Sequence, residues 1–165
     1  VRHHGIYHTL RYVCQVALII QYGRVVALRR PDSAARCPYP EQGNQLAVPD
    51  VAERLFETVR WRQESFLWWP HVFLLMPDHV HALISFPPSG KPLKTVVSKW
   101  KEWTAKEIGI VWQRDFFEHR LRHDESRREK ADYILQNPVR KKLVARPEDW
   151  PFVYFADGQR PRWEW

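Results

Sequence analysis

A chain of 165 residues and 19.9 kDa, with 44% hydrophobic and 27% charged residues, is sized and composed for one folded domain over 1–165, which excludes a mainly disordered or low-complexity protein. The formal charge of +7 is unevenly placed: 91–142 hold 14 Lys or Arg against 8 Asp or Glu, whereas 1–90 hold 9 against 7 and 143–165 hold 3 against 4. The uncharged stretches 12–23 and 65–77 are shorter than the roughly 20 apolar residues of a membrane helix, and Cys14 and Cys37 lack partners at the spacing of a zinc site or a disulfide framework.

The first residues do not read as an export signal, so the expected setting is cytoplasmic, without membrane association. Residues 6–20 read as a strand, rich in β-formers and punctuated by Gly5 and Gly23. Four prolines with Gly43 and Asn44 make 31–49 a long loop. Asp50 can then cap a helix that runs to about Ser65, its apolar positions Val51, Leu55, Phe56 and Val59 at helical spacing. Two strand-like runs, 66–76 and 79–86, flank Pro77-Asp78 and predict a tight antiparallel hairpin. A basic amphipathic helix follows over 91–108, with Val96, Val97, Trp100 and Trp103 as its apolar side. Residues 111–121 resemble another strand, and Asp124 can cap a helix through Asn137, where Pro138 stops it. This order suggests an α+β fold, a ferredoxin-like sandwich with helices packed on an antiparallel sheet, leaving a C-terminal tail over 153–165.

Three features can carry chemistry. His79-Val80-His81 places two imidazoles on one face of a strand, where they can hold one ion or simply form a polar face. Tyr133 and Asn137, four apart on a helix, share a face with Gln136 close by; the bland alternative is a half-buried tyrosine and a helix C-cap. The third is a basic series interleaved with aromatics: Lys91, Lys94, Lys99, Lys101, Arg114, Arg120, Arg122 and Arg140. Such a series suits phosphates and unpaired bases, or is merely a solvated face.

Together these segments resemble the single-tyrosine HUH transposases, IS200-like, and within them the REP-associated tyrosine transposases. The resemblance is carried by Phe73-Leu74-Leu75-Met76-Pro77-Asp78-His79-Val80-His81-Ala82-Leu83, Trp112-Gln113-Arg114-Asp115-Phe116-Phe117, Tyr133-Ile134-Leu135-Gln136-Asn137-Pro138-Val139-Arg140 and Leu143-Val144-Ala145-Arg146-Pro147-Glu148-Asp149-Trp150-Pro151, in that order. Tyr7-His8-Thr9-Leu10-Arg11 looks like the family's first strand, and the 31–49 loop looks longer than its usual connection.

The resemblance implies that His79 and His81 are metal ligands, with Asn137 as third ligand and Gln136 as the fallback. It implies a divalent cation, Mg²⁺ or Mn²⁺, and Tyr133 as a nucleophile that forms a 5′-phosphotyrosine link. It further implies single-stranded or hairpin DNA of the REP type as partner, no nucleotide cofactor, and a monomer, with a dimer as the alternative. Two other readings stay open: a domesticated hairpin-binding protein that does not cut, and a zinc hydrolase using His79, His81 and another histidine such as His119.

Overall fold

From Val80 to Phe86 every side chain is buried, and only His79 at the start of that strand is partly open. A strand dry on both faces needs a layer on each side, and this requirement organises the chain. The computed structural model describes the backbone of 14–21 and residues 46–88, 90–121 and 126–158. Residues 6–13 of the expected 6–20 strand, most of the 31–49 loop, Arg122, Asp124 and the end of the tail lie outside the described residues.

Among the described residues, five strands form one antiparallel sheet: β1 (Cys14–Gln21), β2 (Trp69–Leu75), β3 (His79–Phe86), β4 (Phe117–Arg120) and β5 (Val153–Tyr154). Their order is β4-β1-β3-β2-β5. Helix α1 (Pro49–Glu64) connects β1 to β2, and α2 (Leu93–Ile108) connects β3 to β4. The first four strands and two helices are therefore the split β-α-β pattern of a ferredoxin-like sandwich, as expected, with β5 added at the β2 edge. The β2–β3 hairpin turns at Pro77-Asp78, where the Met76 N–H donates to the His79 carbonyl over 2.8 Å. Its register pairs Leu75 with Val80, Leu74 with His81 and Phe73 with Ala82. Paired residues share a face, so Phe73, Leu75, Val80 and Ala82 point one way, and Leu74, His79, His81, Leu83 and Ser85 the other.

Helices α1 and α2 cover the Phe73 face. Trp100 of α2 is fully buried, packs edge-on against Phe73 with centroids 5.5 Å apart, and donates its indole N–H to Thr58 Oγ1 of α1 over 2.7 Å. The helix ends at Gly109, whose φ of +81° is the left-handed C-cap conformation that glycine adopts without a Cβ clash. A third helix, α3 (Arg127–Leu135), touches β2 and β3, and its Arg127 is near enough for its charge to act on His71. His71 sits in a β-bulge between Pro70 and Val72 and meets Ser85 Oγ at 2.7 Å, so α3 covers the histidine face.

Several local expectations change. Asp50 lies inside the first turn of α1 while Val48 is the N-cap without a side-chain bond; Pro49 starts the helix because its φ is already helical. The second strand begins at Trp69 and not at Phe66, because Phe66 at φ +55° reverses the chain after α1. Of the expected 111–121 strand, Phe117–Arg120 joins the sheet, while Trp112 makes a single β-bridge and donates its indole N–H to Thr104 Oγ1 over 2.8 Å. Ser126 caps α3, its Oγ accepting from the Glu129 N–H over 3.2 Å, which is the S-x-x-E pattern of a capping box. Pro138 does not end helical structure but opens a further turn, α4 (Asn137–Arg140).

Candidate functional site

The site begins at the hairpin turn. Asp78, which is exposed, puts Oδ1 2.6 Å from Nδ1 of His79. A carboxylate there accepts the Nδ1 proton, which leaves the lone pair on Nε2. That Nε2 lies 3.0 Å from Nε2 of His81, with the two rings near perpendicular at 80°. His81 is 8% exposed, and burial first, then neighbouring His79, pushes its pKa down to about 4 although Asp78 pulls the other way. The Nε2 atoms of His79 and of neutral His81 can thus offer lone pairs to the same point. For bonds of about 2.1 Å, two nitrogens 3.0 Å apart subtend about 90°, the angle between neighbouring ligands of an octahedral ion. The imidazole pair therefore fits the implied cation.

Tyr133 stands on α3, the helix over this face, and is 52% exposed. The Arg140 guanidinium carbon lies 4.1 Å from the centre of its ring, a close cation–π contact. Asn137 has a structural task as well. Pro138 lacks the N–H that would have capped the Ile134 carbonyl, and Asn137 Nδ2 donates to that carbonyl over 3.0 Å and to the Tyr133 carbonyl over 3.2 Å. Its nitrogen is committed, while its oxygen makes no hydrogen bond among the described residues, so the amide oxygen is the atom left for a ligand role. Gln136 forms the C-cap of α3 and is exposed.

The far end of α3 orients this group. Arg127 opens the helix within electrostatic reach of His71, which meets Ser85, and α4 at the other end packs on the 3₁₀ turn Pro147–Asp149. That turn leads into Trp150, whose indole N–H donates to the Leu75 carbonyl over 2.9 Å at the hairpin end of β2. The α3 axis therefore runs from the Ser85 end toward the hairpin end, where His79 and His81 stand.

The basic series is divided by the sheet. Lys91, Lys94 and Lys99 are exposed on or just before α2, across the sheet from the histidines, and Lys99 pairs with Glu102 at 2.7 Å. Lys101 leaves the exposed set: it is 8% exposed, and its ammonium donates to the Gln113 and Arg114 carbonyls over 2.7 and 2.9 Å. Arg114 and Arg120 are exposed, and Arg140 stands at Tyr133. His119 does not join the histidine pair. It aligns with Ala17, and through β1 with Leu83, about 10 Å away across two strand spacings. No group of three or more His, Cys, Asp or Glu able to hold a metal occurs among the described residues, which removes the basis of a zinc site built with His119.

His71, missed in the sequence, is a second imidazole on this face, partly buried. Its pKa is pushed down to about 4, by burial first and by the Arg127 charge second. The unfolded chain takes up a proton near pH 6.5 that the folded chain refuses until about pH 4, so stability falls as pH drops through that window. His71→Asn should lose about 1–2 kcal/mol less than the parent protein between pH 7 and pH 5 in denaturant titrations. Equal losses would show that His71 titrates as freely folded as unfolded.

No family model matches the chain. A REP-associated tyrosine transposase of Escherichia coli is 29% identical over 87 residues, covering 52% of this chain and 53% of that protein. A Haemophilus influenzae protein provisionally described in the same terms is 27% identical over 97 residues, covering 49% of this chain and 55% of its own. The chain thus spans about half the length of these curated relatives. In fold it is similar to a REP-associated tyrosine transposase solved bound to a REP hairpin, with a TM-score of 0.66 and 20% identity over 85% of this chain and 75% of that one. Among the described residues no helix is long and apolar enough to cross a membrane. By sequence over about half its length the chain is similar to REP-associated tyrosine transposases, and it shares the fold of one of them over most of its length.

Proposed function

We propose that the chain binds hairpin DNA with a single-stranded flank and cuts it, Tyr133 acting as nucleophile beside a divalent cation held by His79, His81 and the Asn137 amide oxygen. The observation that carries this reading is the meeting of the two Nε2 atoms, 3.0 Å apart, on the sheet face covered by the Tyr133 helix. When bound, the cation supplies positive charge to a non-bridging phosphate oxygen and to the oxygen that leaves. Tyr133 Oη forms a bond to phosphorus, the bond from phosphorus to the 3′-oxygen breaks, the phenol proton passes to solvent, and the 3′-oxygen takes a proton from solvent. The phosphotyrosine keeps the energy of the broken ester, so reversal with another 3′-hydroxyl joins strands without a nucleotide cofactor. Arg140, on the ring of Tyr133, would meet the phosphate as the phenol turns to it.

Imidazole donors suit Mn²⁺ better than Mg²⁺, the harder of the two candidate ions. Incubation with REP-like hairpins carrying single-stranded flanks should therefore give a covalent protein–DNA adduct at lower Mn²⁺ than Mg²⁺ concentration. His81→Ala should remove the adduct at either ion. Tight hairpin binding with no adduct under any of these conditions overturns cleavage and leaves the binding-only reading.

A further inference from the structure

The helical layer on the other side of the sheet holds a groove of about 850 Å³ between α1 and α2. Two tryptophans stand open along it, Trp61 of α1 at 58% and Trp103 of α2 at 45% exposure. Trp103 breaks the expected apolar stripe of α2, since Trp100, three residues earlier, is fully buried. Large indoles left in water at two facing positions are costly unless something covers them.

The floor of the groove carries a second, independent sign. Arg62 is 7% exposed, yet its guanidinium has no carboxylate partner among the described residues; it donates from Nη1 to the Thr58 carbonyl over 3.1 Å and lies between the rings of Trp61 and Trp68, 5.5 and 5.9 Å from their centres. Burial lowers its pKa to about 10, the mark of a cation held without a compensating charge. A guanidinium has five N–H donors in a fork that fits a phosphate, and most of these donors are uncommitted here. Arg54, Lys91 and Lys106 add positive charge along the rim, outweighing the carboxylates of Glu57 and Glu102.

We infer that this groove is a second nucleic-acid site, which takes a single-stranded segment with a base stacked on the Trp61 and Trp103 indoles and a phosphate drawn to Arg62. Aromatic faces stack on any base, and cations beside them track the backbone, which is the chemistry of single-strand binding without sequence preference. The site lies on the α1–α2 layer, across the sheet from His79, His81 and Tyr133, so it stands or falls separately from cleavage. It would hold a strand distant from the one presented to Tyr133.

The test uses the full chain and an oligothymidylate of about ten nucleotides, too unstructured to form a hairpin and within the usual single-strand site size. The same oligonucleotide carrying 5-iodouracil should photo-cross-link to peptides containing Trp61 or Trp103. Trp103→Ala, at an exposed position that leaves the core intact, should weaken oligothymidylate binding about tenfold. If about three phosphates are neutralised, log affinity should fall with log salt at a slope of about −2. Tyr133→Phe should bind the oligonucleotide as the parent does, whether or not the parent forms adducts. Cross-links confined to α3 or α4, unchanged affinity in a folded Trp103→Ala protein, or preference for a polyglutamate peptide at equal salt would each overturn the assignment.

Discussion

Tyr133→Phe should abolish the covalent DNA adduct while changing hairpin affinity by no more than about twofold. The substitution removes one oxygen from a side chain that is 52% exposed, so it opens no cavity, and stability should move by less than about 0.5 kcal/mol. Phenylalanine keeps the ring that Arg140 stacks on, so the cation–π contact at 4.1 Å and the turn between α3 and α4 both persist. What disappears is the oxygen proposed to form the ester. Loss of a covalent nucleophile is a difference of kind, and residual cleavage should fall by at least about 10⁴-fold. Denaturing gels after incubation with labelled hairpin and Mn²⁺ read this directly. An adduct that persists in Tyr133→Phe would move the nucleophile elsewhere. Tyr154 is the obvious rival to examine by peptide mapping, although its hydroxyl already donates to Gln63 Oε1 over 2.7 Å and burial raises its pKa.

How much of this could be read from the sequence depends on the range of the interaction concerned. The hairpin was legible because a proline turn and two apolar runs are local signals, and the register Leu74 to His81 follows from them. The ferredoxin-like order was legible from the sequence of elements, since few topologies accommodate two split β-α-β units. The Ser126 cap was present as Ser126-Arg127-Arg128-Glu129 but competed with Asp124, an equally good local candidate. Pro138 was read as a stop because a proline lacks an N–H; the rescue of the orphaned Ile134 carbonyl by the Asn137 amide depends on a rotamer, which spacing does not encode. The roles of Lys101 and Trp103 were not legible at all. Charge and spacing put both on one helix, and only the approach of the Gln113–Arg114 segment buries the lysine, while the width of the α1–α2 groove leaves the tryptophan open. For the same reason the basic third of the chain is not one track: the sheet passes between the lysines near α2 and the arginine at Tyr133.

Trp150→Ala should cost about 3–5 kcal/mol of stability. The side chain is 2% exposed, packs edge-on against Phe152 with centroids 5.3 Å apart, and donates its indole N–H to the Leu75 carbonyl. Removing it opens a cavity and strips a buried carbonyl of its donor, two penalties that add. The damage should spread along the chain in a particular direction. Strand β5 is only two residues long and holds its register through Phe73 with Tyr154 and Leu74 with Val153, so it depends on the anchor next to it. On the other side, the 3₁₀ turn before Trp150 supports α4, which carries Asn137 and Arg140. Hydrogen exchange at 137–140 should therefore accelerate more in Trp150→Ala than exchange in α1, and adduct formation should drop further than the folded fraction does. Trp150→Phe, which fills most of the volume but lacks the N–H, should recover roughly half of the stability. A loss below about 1 kcal/mol in Trp150→Ala, or exchange that rises equally in α1 and α4, would show that the hairpin end of the sheet holds α4 without this tryptophan.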